Sequence, residues 1–307
     1  MAITQTLVQE LESIPEPGRL LAELDKRFGK RMAIATSGQP TDTAIIALAT
    51  KAGVKKPRVY TTDTYRLFPE TYAYFKTLEK FFKIKIERYT PPEKELSRMV
   101  DEHGEFLFFD SRDKQEYCCH VRKVLPNQKA LETLDVWVTG LRRDQSATRA
   151  GLPRMEIMKR PSPRATLDPL PKGRGQGPTF SLQGEGGRRH YDVGIRQGLS
   201  GGRPDEGENI LKVNPLVFWT EQQVSDYLKS NRIPNHPLYE KKLPGGWYYE
   251  SLGCIICTTP IGPHEPRRAG RWRWFNALDD KKECGLHLPD QPSDVRGPTS
   301  QTQPPHS

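Results

Sequence analysis

The chain has 307 residues and a formal charge of +9 from 47 basic and 38 acidic side chains, with 35% hydrophobic and 28% charged residues. This length admits one large domain or two small ones, the composition is that of a soluble globular protein, and the charge favours an anionic partner. No apolar run reaches the roughly 18 residues of a membrane span, and the N-terminus has no basic-then-apolar signal, so the expected location is the cytoplasm.

Five short, β-branched and apolar runs read as strands: 31–37, 57–63, 83–89, 135–141 and 210–216. Helical patterns lie between and after them at 41–52 with Gly53 as a stop, 69–82 opening on Pro69, 92–103, and 220–230 with Thr220 as N-cap. Strand and helix alternate over 31–140, which predicts an α/β fold with a doubly wound, mainly parallel sheet and ligand sites beyond the carboxyl ends of the strands. Residues 160–208 break the pattern. They are rich in Gly, Pro and Arg with little periodic apolar face, and are expected to be a disordered insertion; 289–307 has the same look and is expected to be a mobile tail.

Three strand ends are candidate contacts for a nucleotide. The loop Ser37-Gly38-Gln39-Pro40-Thr41-Asp42 leads into a helix and can offer backbone N–H groups to a phosphate. Thr61-Thr62-Asp63-Thr64 can meet a base or sugar. Thr139-Gly140-Leu141-Arg142-Arg143 sets paired arginines where they can hold an oxyanion. Taken singly, each also reads as an ordinary turn with solvated charge.

The five cysteines divide as four plus one. Cys118-Cys119 lies in a helical-looking segment and Cys254-Ile-Ile-Cys257 is a C-x-x-C pair, so the four could form a thiolate site. Spacing accepts zinc or an iron-sulfur cluster. Adjacent cysteines favour the cluster, whose several irons offer separate attachment points, and plain buried thiols are the alternative. The fifth, Cys284, stands in Lys281-Lys282-Glu283-Cys284-Gly285-Leu286-His287. Nearby cations and a histidine favour the nucleophilic thiolate there. Arg267-Arg268-Ala269-Gly270-Arg271-Trp272-Arg273-Trp274 interleaves cations with aromatics, a pattern that suits a substrate anion or a nucleic acid.

Together these segments resemble the sulfonucleotide reductase family, and within it the cluster-containing adenylylsulfate reductases of bacterial sulfate assimilation. The resemblance runs in order through TTDTYRLFPETY (61–72), CCHVRKVLP (118–126), WVTGLRRDQSATR (137–149), IPNHPLY (233–239), SLGCIICTTPI (251–261), RRAGRWRW (267–274) and KKECGLH (281–287). It covers most of residues 20–288, and implies a Rossmann-like fold of the adenine nucleotide alpha-hydrolase, or PP-loop, type. It further implies one reductase domain formed by 1–159 and 209–288.

The resemblance also implies roles. Cys118, Cys119, Cys254 and Cys257 would ligate a 4Fe–4S cluster, Cys284 would be the nucleophile with His287 beside it, and Lys123 would lie between cluster and substrate. Arg268 and Arg271 would hold the phosphosulfate with help from Arg143 or Arg142, while Ser37 and Asp63 would contact the nucleotide. The implied activity is thiol-dependent reduction of adenylyl sulfate to sulfite and AMP through an S-sulfocysteine, with a separate thioredoxin or glutaredoxin as reductant. No nucleic acid or membrane partner is implied, and homo-oligomerisation stays open. Departures exist: SGQPTD has three residues between Gly38 and Asp42 where the family pattern has two, and 160–208 has no counterpart. The alternatives are a reductase for the 3′-phosphorylated nucleotide, which shares the thiol chemistry, and a zinc-stabilised nucleic-acid-binding protein, which leaves ECGLH unexplained.

Overall fold

The computed structural model describes residues 2–161 and 209–274. Strands β1 (Met32–Ala35), β2 (Val59–Thr62), β3 (Ile86–Tyr89), β4 (Val136–Val138), β5 (Met155–Lys159) and β6 (Asn209–Val213) form one sheet in the order β3-β2-β1-β4-β6-β5. Every neighbouring pair is parallel except β5–β6. The five expected strands are therefore present, each shorter than its apolar run, and the mainly parallel α/β class is as expected.

Helices α1 (Gln5–Glu12), α2 (Pro17–Phe28), α3 (Pro40–Lys51), α4 (Pro69–Phe82) and α5 (Glu93–His103) precede α6 (Arg112–Cys119) and α7 (Leu125–Leu131). Helices α8 (Glu221–Ser230) and α9 (Pro237–Glu240) follow the sheet. Proline in the first turn starts α3 and α4, where its missing N–H costs nothing. Helix α3 is buried on nine of its twelve positions because α2 and α8 pack on it, so it carries almost no polar face. That central helix and the inner strand side chains Ile34, Val59, Val136, Val138, Leu211 and Val213 make the main core.

Helices α1 and α2 and strand β5 had no sequence-based expectation. α1 and α2 pack Leu7, Leu11, Leu20, Leu21 and Leu24 into the main core, and β5 pairs antiparallel with β6 from Met155↔Val213 to Lys159↔Asn209. The expected insertion thus begins and ends at register partners. Arg160, placed at its start, is itself anchored by an ion pair to Asp135 at 2.9 Å. Residues 162–208 of the Gly/Pro/Arg-rich stretch and the C-terminal tail lie outside the described residues. No helix among the described residues is long and apolar enough to cross a membrane.

Candidate active site

The strand order reverses between β1 and β4, where connections depart to opposite sides and leave a crevice at the carboxyl ends. A cleft of about 830 Å³ lies there, walled by the Ser37–Asp42 loop, Thr139–Arg142, and residues 248–251 with Arg267 and Arg268.

The first loop is closed on itself. The Asp42 carboxylate accepts from the Ser37 backbone N–H at 2.8 Å and the Ser37 hydroxyl at 2.9 Å. The extra residue between Gly38 and Asp42 places Asp42 inside the first turn of α3, where its side chain folds back over the loop. Burial pushes the Asp42 carboxyl up, against the opposing effect of these hydrogen bonds and Arg142. Ser37 lines the cleft but its N–H and hydroxyl are turned to Asp42, so it does not offer an open amide to a phosphate. Behind the loop, buried His236 accepts from the Leu238 N–H at Nδ1 and so carries its proton at Nε2, 3.0 Å from Thr71 Oγ1. Desolvation lowers its pKa to about 4.

The paired arginines separate. Arg142 is 4% exposed, lines the cleft, and donates to Thr41 Oγ1 and to Asp144. Arg143 points elsewhere: it donates to the Leu152 carbonyl at 2.8 Å, and its guanidinium covers the exposed Phe218 ring. Of the two sequence candidates, only Arg142 is among the cleft-lining residues. Asp63, at the end of β2, is also absent from the wall. It lies behind Thr62, accepting from the Tyr72 hydroxyl at 2.7 Å and the Tyr65 N–H at 3.0 Å. Arg268 does line the cleft, and neighbouring Arg267 bridges Glu221 and Glu250 across its mouth.

The four cysteines come together beyond the 248–251 wall. Cys119, Cys254 and Cys257 share a buried cluster with Trp272, while Cys118 sits in the adjoining cluster, and Ile256 and Trp274 pack against both. Helix α6 delivers the first pair and a 3₁₀ turn, Ile255–Cys257, the second. The Cys254 thiol is held well below its usual range, foremost by a hydrogen bond from the Cys257 thiol and also by Lys123, Thr64 and Arg271. Cys257 is driven up by that same shared proton and by burial. Among the described residues no three His, Cys, Asp or Glu side chains converge as a single metal ion requires.

A π-helical turn, His120–Val124, follows α6 and widens the helix directly after the cysteine pair. It carries Arg122 and Lys123, and Lys123 acts electrostatically on Cys118, Cys254 and Cys257. Arg271 is 6% exposed and lies beside the cysteines rather than on the cleft wall, donating to Thr258 Oγ1 at 3.1 Å with its guanidinium over the Trp272 ring. Gly253 makes room for it, since a Cβ there would lie 2.0 Å from Arg271 Nη1. Sequence reasoning passed over Arg66, Arg122 and Asp144, whose only signal was adjacency to TTDT, CCH and the arginine pair. Cys284 and His287 lie outside the described residues.

The described residues thus form a six-stranded doubly wound α/β sheet with a cleft at its switch point and four buried cysteines beside that cleft. Residues 31–260 match the phosphoadenosine phosphosulfate reductase domain, and the chain belongs to that family. Among curated relatives, an adenosine 5′-phosphosulfate reductase of Sinorhizobium fredii (strain USDA 257) is 31% identical over 296 residues, 96% of this chain and 94% of that one. Another protein of that name, from Rhizobium tropici, is 33% identical over 229 residues, 75% of this chain and 97% of that one. In fold the chain is similar to a phosphoadenylyl-sulfate reductase from Candida auris solved with phosphate, with a TM-score of 0.54, 18% identity, and coverage of 84% of this chain and 99% of that one.

Proposed function

We propose that this chain is a cytoplasmic oxidoreductase of sulfate assimilation that reduces adenylyl sulfate to sulfite and AMP. The observation that carries the reading is the packet of Cys118, Cys119, Cys254 and Cys257 against the arginine-lined cleft, in a chain whose curated relatives are adenosine 5′-phosphosulfate reductases. The donor set fits an iron-sulfur cluster better than one metal ion. Four thiols spread over two adjoining clusters suit separate iron atoms, and buried guanidinium nitrogens of Arg66, Arg122 and Arg271 without hydrogen-bond partners face an environment that anionic sulfur would satisfy. A 4Fe–4S cluster bound there would be held by Cys118, Cys119, Cys254 and Cys257 and would supply a structurally rigid element beside the substrate.

The residues then divide the work. Arg142 and Arg268 hold the phosphosulfate, and Lys123 and Arg271 offset negative charge between the thiols and the sulfate. The Cys284 thiolate attacks the sulfate sulfur, the S–O bond to AMP breaks, and an S-sulfocysteine forms while AMP leaves as the anion. His287 accompanies the nucleophile. One thiolate of a thioredoxin-like dithiol attacks Cys284 Sγ and the S–S electron pair departs with sulfite. The second dithiol thiol then attacks the mixed disulfide, releasing the Cys284 thiolate and an oxidised reductant. The two electrons that take sulfur from sulfate to sulfite come from that dithiol.

The test is sulfite release by anaerobically purified protein with thioredoxin, measured with adenylyl sulfate and with its 3′-phosphorylated form. Turnover with the first, abolished by Cys284→Ser while nucleotide binding persists, is the expected result. Preference for the 3′-phosphorylated nucleotide, or undiminished turnover by Cys284→Ser, overturns the assignment.

A further inference from the structure

Three neighbouring strands are entered through basic sequence. Lys30 precedes β1, Lys56 and Arg58 precede β2, and Lys83 and Lys85 precede β3. Because β3, β2 and β1 are adjacent and parallel, their entries lie side by side, and these five cations line one cavity of about 670 Å³ at the amino ends of the strands. It shares no lining residue with the cleft at the carboxyl ends. Among its described lining residues the one carboxylate is Glu87, and Arg58 grips both oxygens of it at 2.8 Å. Glu79, on α4, is turned to the Ile86 backbone N–H, from which it accepts at 2.9 Å. Lys30, Lys56, Lys83 and Lys85 are exposed, and no carboxylate among the described residues pairs with any of them.

Two ordinary reasons for surface lysines do not cover this set. A helix C-terminus attracts a cation, but Lys51 and Lys80 already stand in the last turns of α3 and α4, and Lys56 and Lys85 lie beyond the helix ends. Solubility is served by scattered charge of both signs, whereas this cavity gathers one sign in a concave site. Lys83 closes α4 at φ 54°, in the left-handed region where glycine is the common residue. Like charges crowded in this way repel one another, and a bound anion relieves the repulsion.

We propose that this cavity is a second anion site, separate from the cleft, that takes a condensed phosphate: a short chain of linked phosphate groups, inorganic or carried by a nucleotide. Neighbouring strands are about 5 Å apart, so three entries spread the cations over about 10 Å. A phosphate chain distributes several negative charges over such a length, and a single orthophosphate does not. Arg58 turns its donors to Glu87, Thr133 and the Lys30 carbonyl, so the lysine ammoniums are the groups that meet the phosphate oxygens. A single-stranded nucleic acid fits less well. The apolar lining consists of Pro57 and Ile84, with no aromatic ring among the described lining residues on which a base could stack. The inference depends neither on the cluster nor on the reaction assigned to the cleft.

The experiment is isothermal titration of the full-length protein, in about 0.1 M salt, with inorganic tripolyphosphate, adenosine triphosphate, orthophosphate and a single-stranded oligothymidylate. It compares wild type with the double variant Lys56→Gln, Lys85→Gln, with Lys83→Gly and with the cleft variant Arg268→Ala. Wild type is expected to bind tripolyphosphate about tenfold or more tightly than orthophosphate. The double variant weakens tripolyphosphate about tenfold at unchanged thermal stability, Lys83→Gly weakens it a few-fold, and Arg268→Ala leaves it unchanged. Adenosine triphosphate that loses affinity with the same lysines identifies a nucleotide's phosphate chain as a ligand, whereas indifference to them leaves the inorganic chain. Equal affinity for orthophosphate and tripolyphosphate marks an adventitious ion only and overturns the proposal. So does a wild type that fails to bind tripolyphosphate, an affinity untouched in both lysine variants, or a loss confined to Arg268→Ala. An oligothymidylate that binds more tightly than tripolyphosphate and needs the same lysines overturns it in favour of a nucleic acid.

Discussion

Asp144 grips Arg142 with both carboxylate oxygens, at 2.8 and 3.2 Å, and one of those oxygens also accepts the backbone N–H of Glu221 at 2.7 Å. A single side chain therefore fixes the cleft arginine and ties the start of α8 to the β4 loop. Asp144→Ala is expected to raise KM for adenylyl sulfate about tenfold with a smaller change in kcat, the loss of one oriented charge-assisted contact. Steady-state kinetics with unchanged far-UV circular dichroism checks this. An unchanged KM would mean that Arg142 does not need its partner to meet the nucleotide.

Gly140 is constrained by Asp42 rather than by its own backbone angles. A Cβ at 140 would stand 2.0 Å from Asp42 Oδ1 and 3.3 Å from the Asp42 backbone nitrogen. Gly140→Ala must push Asp42 off Ser37 and is expected to destabilise the protein by about 1 to 3 kcal/mol, the usual cost of overpacking a filled site. Denaturant unfolding measures it. Asp42→Asn in the same background should recover little, because the clash is steric.

His236 makes stability depend on pH. Its folded pKa of about 4 lies below the ordinary histidine value near 6.5, so between these the unfolded chain binds the extra proton and the folded one does not. Stability from this group is complete above about pH 6.5, falls as pH drops toward 4, and is level below that, a total of roughly 3 kcal/mol. His236→Gln, which keeps a polar side chain near Thr71 without a titrating ring, should flatten that part of the stability curve even if it lowers the plateau. Equal slopes for wild type and variant between pH 6.5 and 4 would remove His236 from the acid response.

Lys159 and Asn209 are register partners at the end of the β5–β6 ladder. A short Gly/Ser turn between Pro161 and Asn209 can therefore close the pair, while Arg160 keeps its bond to Asp135. Stability is expected to stay within about 1 kcal/mol of wild type, because loop-closure free energy changes slowly with length. KM for adenylyl sulfate should also stay unchanged. A large rise in KM would assign the excised segment a part in covering the cleft.

The parts of this protein legible in its sequence are those written in local chemistry. Apolar runs of the right length announced the five strands that build the parallel sheet, and prolines and Thr220 marked helix starts, because strand and cap preferences act over a few residues. Cysteine spacing likewise named the four thiols that the fold gathers. Strand β5 was illegible because an edge strand is made by its partner: Met155–Lys159 has no strong pattern until β6 lies beside it. Helices α1 and α2 were passed over, although their leucines recur at helical spacing and fill the main core.

The site divides in the same way. Sequence put two arginines at the end of β4, but only the turn of the chain after Leu141 sends Arg142 into the cleft and Arg143 out over Phe218. Nothing local distinguishes them. The burial of Arg122 was hidden for a related reason: on a sequence it is one of 47 basic residues, and a cation means little in water. Burial beside Arg66 and two thiols, with no carboxylate among the described residues paired to it, gives that charge its consequence, since electrostatic energy grows as the surrounding water is removed and only the tertiary structure decides where that happens.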